Sequence, residues 1–218
     1  TKMSIPTLPE QLPTSVIRYI GKEVKRVEDP SLVTGETEFI DNVKLPNMLH
    51  AAILRSPHPH ARIVSINIKA AEQLAGVHAV LTGDDVKAWS NPGTTAPEGW
   101  GNYCMAVGKV RFVGEPVVAV AAESRYLAED ALELIEIEYE VLPSVPTPAV
   151  AMADGAPIVF EERGSNIILK KDFVWGEVDR LFAEADHVIG DSFRWNRCGA
   201  NPTETFGCIC TWDVVNHE

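Results

Sequence analysis

The chain has 218 residues, 45% of them hydrophobic, so it can bury a real core, and its length suits one large or two modest domains. Its 31 acidic residues against 19 basic give a formal net charge of −12, which argues against nucleic acid or an anionic membrane surface as the main partner. No apolar run approaches the ~20 residues that cross a bilayer, and the opening TKMSIP lacks the apolar core of a secretory signal. The expected setting is the cytoplasm, without membrane insertion.

Residues 1–47 are rich in Pro, Gly and charge and read as an extended arm over 1–33 followed by loops. Regular structure is expected from 48–55, a strand-like run, and again from 61–68, where apolar and polar residues alternate as in a half-buried strand. Residues 69–74 suit a short helix stopped by Gly76, and 77–81 another strand, with Thr82, Gly83, Asp84 and Asp85 forming a turn and helix cap. Residues 90–106 hold three glycines, two prolines and Trp100 without periodicity. Such a loop is either functional or a mobile excursion.

From Val110 the pattern sharpens: 116–122 reads as a buried strand, Ser124 as the cap of a helix with Leu127, Ala128, Ala131, Leu134 and Ile135 at helical spacing, and 135–141 as a strictly alternating strand. If the two strands pair in parallel, their crossover must be right-handed. The seven acids between Glu123 and Glu140 read as a solvated face rather than a metal site. The prolines of 143–149 favour an extended linker. Beyond it, 166–175, 187–195 and 206–212 read as strands and 177–185 as an amphipathic helix. Those elements make a poor core alone, so 150–218 looks like the opening of a larger, incomplete α/β domain.

The catalytic inventory is thin: there is no phosphate-cradling loop, dinucleotide fingerprint or zinc helix. The four cysteines suit a reducing compartment. Cys208 and Cys210, sharing one face of a strand, could bind a soft metal but lack a second ligand pair and read as small strand residues. His58 and His60, without a nearby carboxylate or thiol, read as part of a structural or partner-contacting loop. Glu204, after a proline turn at the mouth of an apolar strand, is the most interesting acid. Burial there would raise its pKa, or it accepts backbone amides at a strand start.

Several stretches carry a resemblance, in order along the chain: DPSLVTGETEFID at 29–41, LPNMLH at 45–50, RSPHPHARI at 55–63, GVHAVLT at 76–82, VRFVGEPV at 110–117 and IEYEVLP at 137–143. Past the linker come GEVD at 176–179, AEADHV at 183–188 and PTET at 202–205. Together they resemble the N-terminal part of the large subunit of the xanthine dehydrogenase/aldehyde oxidase family of molybdenum hydroxylases.

The resemblance implies an α+β or α/β "hammerhead" domain at 34–142, with a mixed sheet and short helices, and from about 150 the start of the molybdopterin-binding domain. It implies hydroxylation of an aldehyde, an N-heterocycle or a similar carbon centre with water-derived oxygen. Electrons would leave through two-iron two-sulfur clusters and FAD in partner subunits. The implied partners are the remaining molybdopterin-binding chain, an iron–sulfur subunit, a flavin subunit and a small-molecule substrate. The family's catalytic glutamate falls beyond these residues, so no catalytic residue and no metal ligand is expected in this chain. Arg197, Cys198, Gly199 and Glu204 are expected near the cofactor pocket. Cys198 stands where the family often has Gln, which leaves the substrate open.

Overall fold

A computed structural model describes residues 21–93, 97, 99–196, 198–212 and 215. The chain divides into two compact units: Leu45–Phe193, and the described residues of Thr1–Lys44 together with those of Arg194–Glu218. No helix among the described residues is long and apolar enough to cross a membrane.

The larger unit carries two three-stranded sheets. Strands are β1 (His50–Arg55), β2 (Ala61–Asn67), β3 (Val77–Thr82), β4 (Lys109–Val110), β5 (Pro116–Ala122) and β6 (Glu136–Val141). One sheet has the order β1-β5-β3, the other β4-β2-β6, and every pairing is antiparallel. The α+β hammerhead class stands, but where a mixed sheet was expected the described sheets are antiparallel. The strands on either side of the Ser124 helix, β5 and β6, lie in different sheets and do not pair. That helix therefore turns the chain from one sheet to the other instead of making a parallel crossover.

Local chemistry explains the helices. Ser124 Oγ accepts a hydrogen bond from Leu127 N at 3.2 Å and starts α4 (Arg125–Glu133), which buries Ala128 and Ala131. Thr82 and Asp85 form a reciprocal cap on α3 (Gly83–Trp89), with Thr82 N donating to Asp85 Oδ2 at 2.8 Å. Hydrogen bonds from Thr82 hold the Asp85 carboxyl below its usual range. The short helix α2 (Lys69–Glu72) lies between β2 and β3 and buries Ala71.

The core runs between the sheets and α4. It joins Val80, Val117, Val118 and Val120 of the first sheet to Ala61 and Val110 of the second, and to Ala131 and Ile135. Ile63, Ile66, Ile137 and Tyr139 pack against it from the inner face of the second sheet. Apart from the exposed Val64 at the bulge, that sheet's outer face is polar and paired across strands. Arg62 Nε donates to Glu140 at 3.0 Å and Asn67 Nδ2 to Glu136 at 3.1 Å, which bears out the solvated reading of these acids.

Two regions differ from the sequence reading. Within the expected arm, residues 1–20 lie outside the described residues, and Asp29–Thr34 forms a short helix, α1, rather than an extended segment. Pro30 fits its first turn, and Gly35, at φ 76°, takes the left-handed conformation that ends it. Beyond residue 166 none of the three expected strands forms among the described residues; the expected helix does, as α5 (Val178–Glu184). Ile189, Phe193, Trp195 and Phe206 are each more than 90% exposed. A lone strand leaves both backbone edges unpaired and its apolar face wet, so without a neighbour it gains nothing by forming.

The division into compact units does not fall at 143–149, because the chain after those prolines is fastened to the hammerhead. Residues 148–166 fold around the Asn166 side chain, which accepts from Val159 N and donates to the carbonyls of Ala151 and Pro157. The 3-10 turn Glu161–Arg163 is held by three polar contacts. Lys109 Nζ lies 3.3 Å from the Glu161 carboxylate, Arg111 Nη2 donates to Glu162 at 3.1 Å, and Arg163 Nε donates to the Gly99 carbonyl at 2.7 Å. Phe160 is wedged between the Trp100 ring, 5.2 Å away, and the Arg111 guanidinium, 4.7 Å away.

Candidate functional site

Of the four expected site residues, Arg197 lies outside the described residues. Cys198 and Gly199 are exposed, and a Cβ at Gly199 would lie 3.2 Å from the Asn201 side-chain oxygen. Glu204 has a defined partner. Its Oε1 accepts a hydrogen bond from Ile40 N at 2.9 Å, across 164 positions of sequence. Ile40 opens the 3-10 turn Ile40–Asn42, so the carboxylate sits at the end where backbone N–H groups lack partners.

The approach is close because Gly207 has no side chain: a Cβ there would lie 3.1 Å from Ile40 Cγ2. Ile40, Pro202, Glu204, Thr205, Phe206 and Gly207 enclose a shallow hollow of about 370 Å³. The contact ties Glu204 to Ile40 and not to Cys198 or Gly199. Of the two readings of Glu204, acceptance of backbone amides is the one the geometry carries, with the amide coming from a distant turn and not its own.

The other sequence candidates do not converge. His60 is buried and its Nδ1 lies 2.7 Å from the Pro143 carbonyl, while His58 meets the Tyr139 ring edge-on at 5.0 Å. They brace the loop between β1 and β2 against the end of β6. Cys208 and Cys210 are exposed free thiols. Among the described residues no group of three or more His, Cys, Asp or Glu side chains could hold a metal ion.

A second cluster was missed by the sequence reading. Tyr103, Met105, Arg111, Glu115, Phe160 and Glu162 line a cavity of about 200 Å³ between the long loop after α3 and the turn at Glu161–Arg163. Glu115 is 4% exposed. Burial pushes its carboxyl above the usual glutamate value, opposed by hydrogen bonds from the backbone N–H groups of Arg111 and Phe112 and by the Arg111 charge. The signal was present in GEP at 114–116, an acid at the head of an apolar strand, the same pattern that singled out Glu204. No nucleophile, base and orienting group meet in either hollow.

Residues 34–143 match the a/b hammerhead domain of aldehyde oxidase and xanthine dehydrogenase. The chain belongs to this family. It is 37% identical over 200 residues to the nicotine 6-hydroxylase large subunit of Paenarthrobacter nicotinovorans, a match covering 89% of this chain and 24% of that one. It is 32% identical over 180 residues to the nicotinate dehydrogenase large molybdopterin subunit of Eubacterium barkeri, covering 83% of this chain and 41% of the relative. Among solved structures, quinoline 2-oxidoreductase from Pseudomonas putida 86 superposes with a TM-score of 0.66 at 38% identity, over 77% of this chain and 22% of that one. This hammerhead chain thus spans about a quarter of the nicotine 6-hydroxylase subunit's length.

Proposed function

We propose that the chain is part of the large, molybdopterin-binding subunit of a molybdenum hydroxylase, present either as one piece of a split subunit or as a portion of a longer one. Residues 34–142 would form its hammerhead domain, 143–149 a proline-rich connection, and 150–218 the start of the cofactor-binding domain. The observation that carries the reading is the hammerhead match at 34–143, extended by similarity to large subunits across most of the chain. The assembled enzyme would hydroxylate an aldehyde, an N-heterocycle or a similar carbon centre with oxygen from water and pass electrons to iron–sulfur clusters and FAD in partner subunits. Its molybdenum cofactor would supply the redox chemistry and the activation of water.

The chain's own residues would act as framework. Glu204 would hold the 202–207 segment against the Ile40 turn, setting where Arg197, Cys198 and Gly199 approach the cofactor pocket. The sparse cysteines fit work in the cytoplasm, a reducing compartment. Co-expression with the rest of a large subunit, followed by native mass spectrometry and metal analysis, tests the proposal. A stable assembly containing molybdenum is the expected result. An assembly without molybdenum would instead assign the chain to a non-catalytic scaffold built on the hammerhead fold.

A further inference from the structure

The two sheets of the hammerhead end differently on their outer faces. In the β4-β2-β6 sheet that face carries Arg62, Ser65, Asn67, Glu136, Glu138 and Glu140, hydrogen-bonded across the strands. In the β1-β5-β3 sheet the inner face, with Val80, Val118 and Val120, lies in the core, and α4 packs on β1 and β5. On the opposite face, past Val117, which is buried, two rows follow the strand register. Ile53, Ala119 and Leu81 form one, and Ala51, Ala121 and Ala79 the other. Residues directly opposite each other on antiparallel strands share a face, so all six side chains point the same way.

None of the six is polar. Ile53 is 43% exposed and Leu81 37%, Ala51 and Ala79 are exposed, and Ala119 and Ala121 are partly so. A sheet that is meant to face water carries polar residues there, as its neighbour does.

The shape narrows the occupant. The central strand contributes only methyl groups, while the edge strands raise Ile53 and Leu81 on either side of Ala119, about 10 Å apart across two strand spacings. That is a trough with an alanine floor, and its width matches the ~10–12 Å diameter of an α-helix. Its area, two rows by three strands, falls far short of the ~800 Å² per partner that a stable interface between separate molecules takes. A second copy of this chain is therefore disfavoured, and an element already held nearby is favoured, since tethering removes most of the cost of association.

We infer that this trough seats an amphipathic helix from the remainder of the large subunit, laid along β5 as a second layer opposite α4. The inference rests on the proposed function, in that about three-quarters of the nicotine 6-hydroxylase large subunit lies outside the match and offers polypeptide from which such a helix can come. It goes further by naming the face and the element that covers it.

The test uses the complex obtained by co-expression with the rest of the large subunit. Ile53→Cys and Leu81→Cys report the trough, and Ser65→Cys, on the polar face of the other sheet, is the reference. Maleimide labelling is followed site by site by peptide mass spectrometry, so the native thiols do not interfere. Labelling at 53 and 81 at least about ten-fold slower than at 65 is expected. Bismaleimide cross-links from 53 should land on partner residues spaced three and four apart. Equal labelling at all three sites in a complex that holds molybdenum would overturn the trough and leave the functional reading standing. Cross-links at a period of two, or to a second copy of this chain, would overturn the helix as occupant. Failure of any complex to form would overturn both readings.

Discussion

Phe160 is the side chain on which the fastening of the post-linker segment turns. Its ring sits between Trp100 and the Arg111 guanidinium and is partly buried. Truncating a fully buried Phe to Ala costs ~3–5 kcal/mol, so a half-buried one costs roughly 2 kcal/mol, with the ring contacts included. At 1.4 kcal/mol per factor of ten, Phe160→Ala should raise the population of the undocked segment about 30-fold. Limited proteolysis under conditions where cleavage is slower than reclosing reads that population. The prolines at 143–149 invite cleavage on sequence grounds alone, yet the docked turn at Glu161–Arg163 shields the segment behind them. In the unsubstituted protein the first cuts should fall in the unburied stretch after residue 166, and in Phe160→Ala new cuts should appear within 143–160. Cleavage of the unsubstituted protein at 143–148 at the rate of the variant would refute the docking argument.

Other consequences concern charge. The Lys109 ammonium, 3.3 Å away, holds the Glu161 carboxyl below its usual value, so this contact is present above the unfolded-state pKa and is lost as pH falls through the depressed one. Amide exchange of residues 158–164, corrected for intrinsic rates, should be flat above the ordinary glutamate range and should accelerate as pH falls through the depressed value of Glu161. For Glu115 the shift is upward, so ionisation opposes folding as pH rises. Glu115→Gln, which can still accept from Arg111 N, should stay within about 1 kcal/mol in thermal unfolding at pH 7.5, while Glu115→Ala should lose ~1–3 kcal/mol by orphaning buried donors. A larger loss in Glu115→Gln than in Glu115→Ala would show that the charge itself is needed. In a reconstituted complex, Glu204→Gln should keep its molybdenum and most of its turnover, and Glu204→Ala should lose more by releasing Ile40 N. Abolished turnover in Glu204→Gln with metal and fold intact would make Glu204 a proton-transfer residue.

What the sequence determined by itself was local. The alternation of 61–68 and 135–141, the Ser124 cap and the Thr82–Asp85 pair each depend on neighbours within a few residues, and each appears where the pattern places it. Tertiary structure decided what lies far apart in the chain. Strands β5 and β6 flank one helix, yet they belong to different sheets, because each finds its partners at β1, β3 and β2 rather than in the other. Glu204 reads equally well as a buried acid or a backbone acceptor until Ile40, far away in sequence, supplies the amide. The cavity beside Glu115 exists only because Phe160 and Glu162 return to the loop after α3. The same reason explains the unformed strands beyond 166: their alternation was legible, but a strand exists only with a neighbour to take its hydrogen bonds and cover its apolar side, and no described residue of this chain does so.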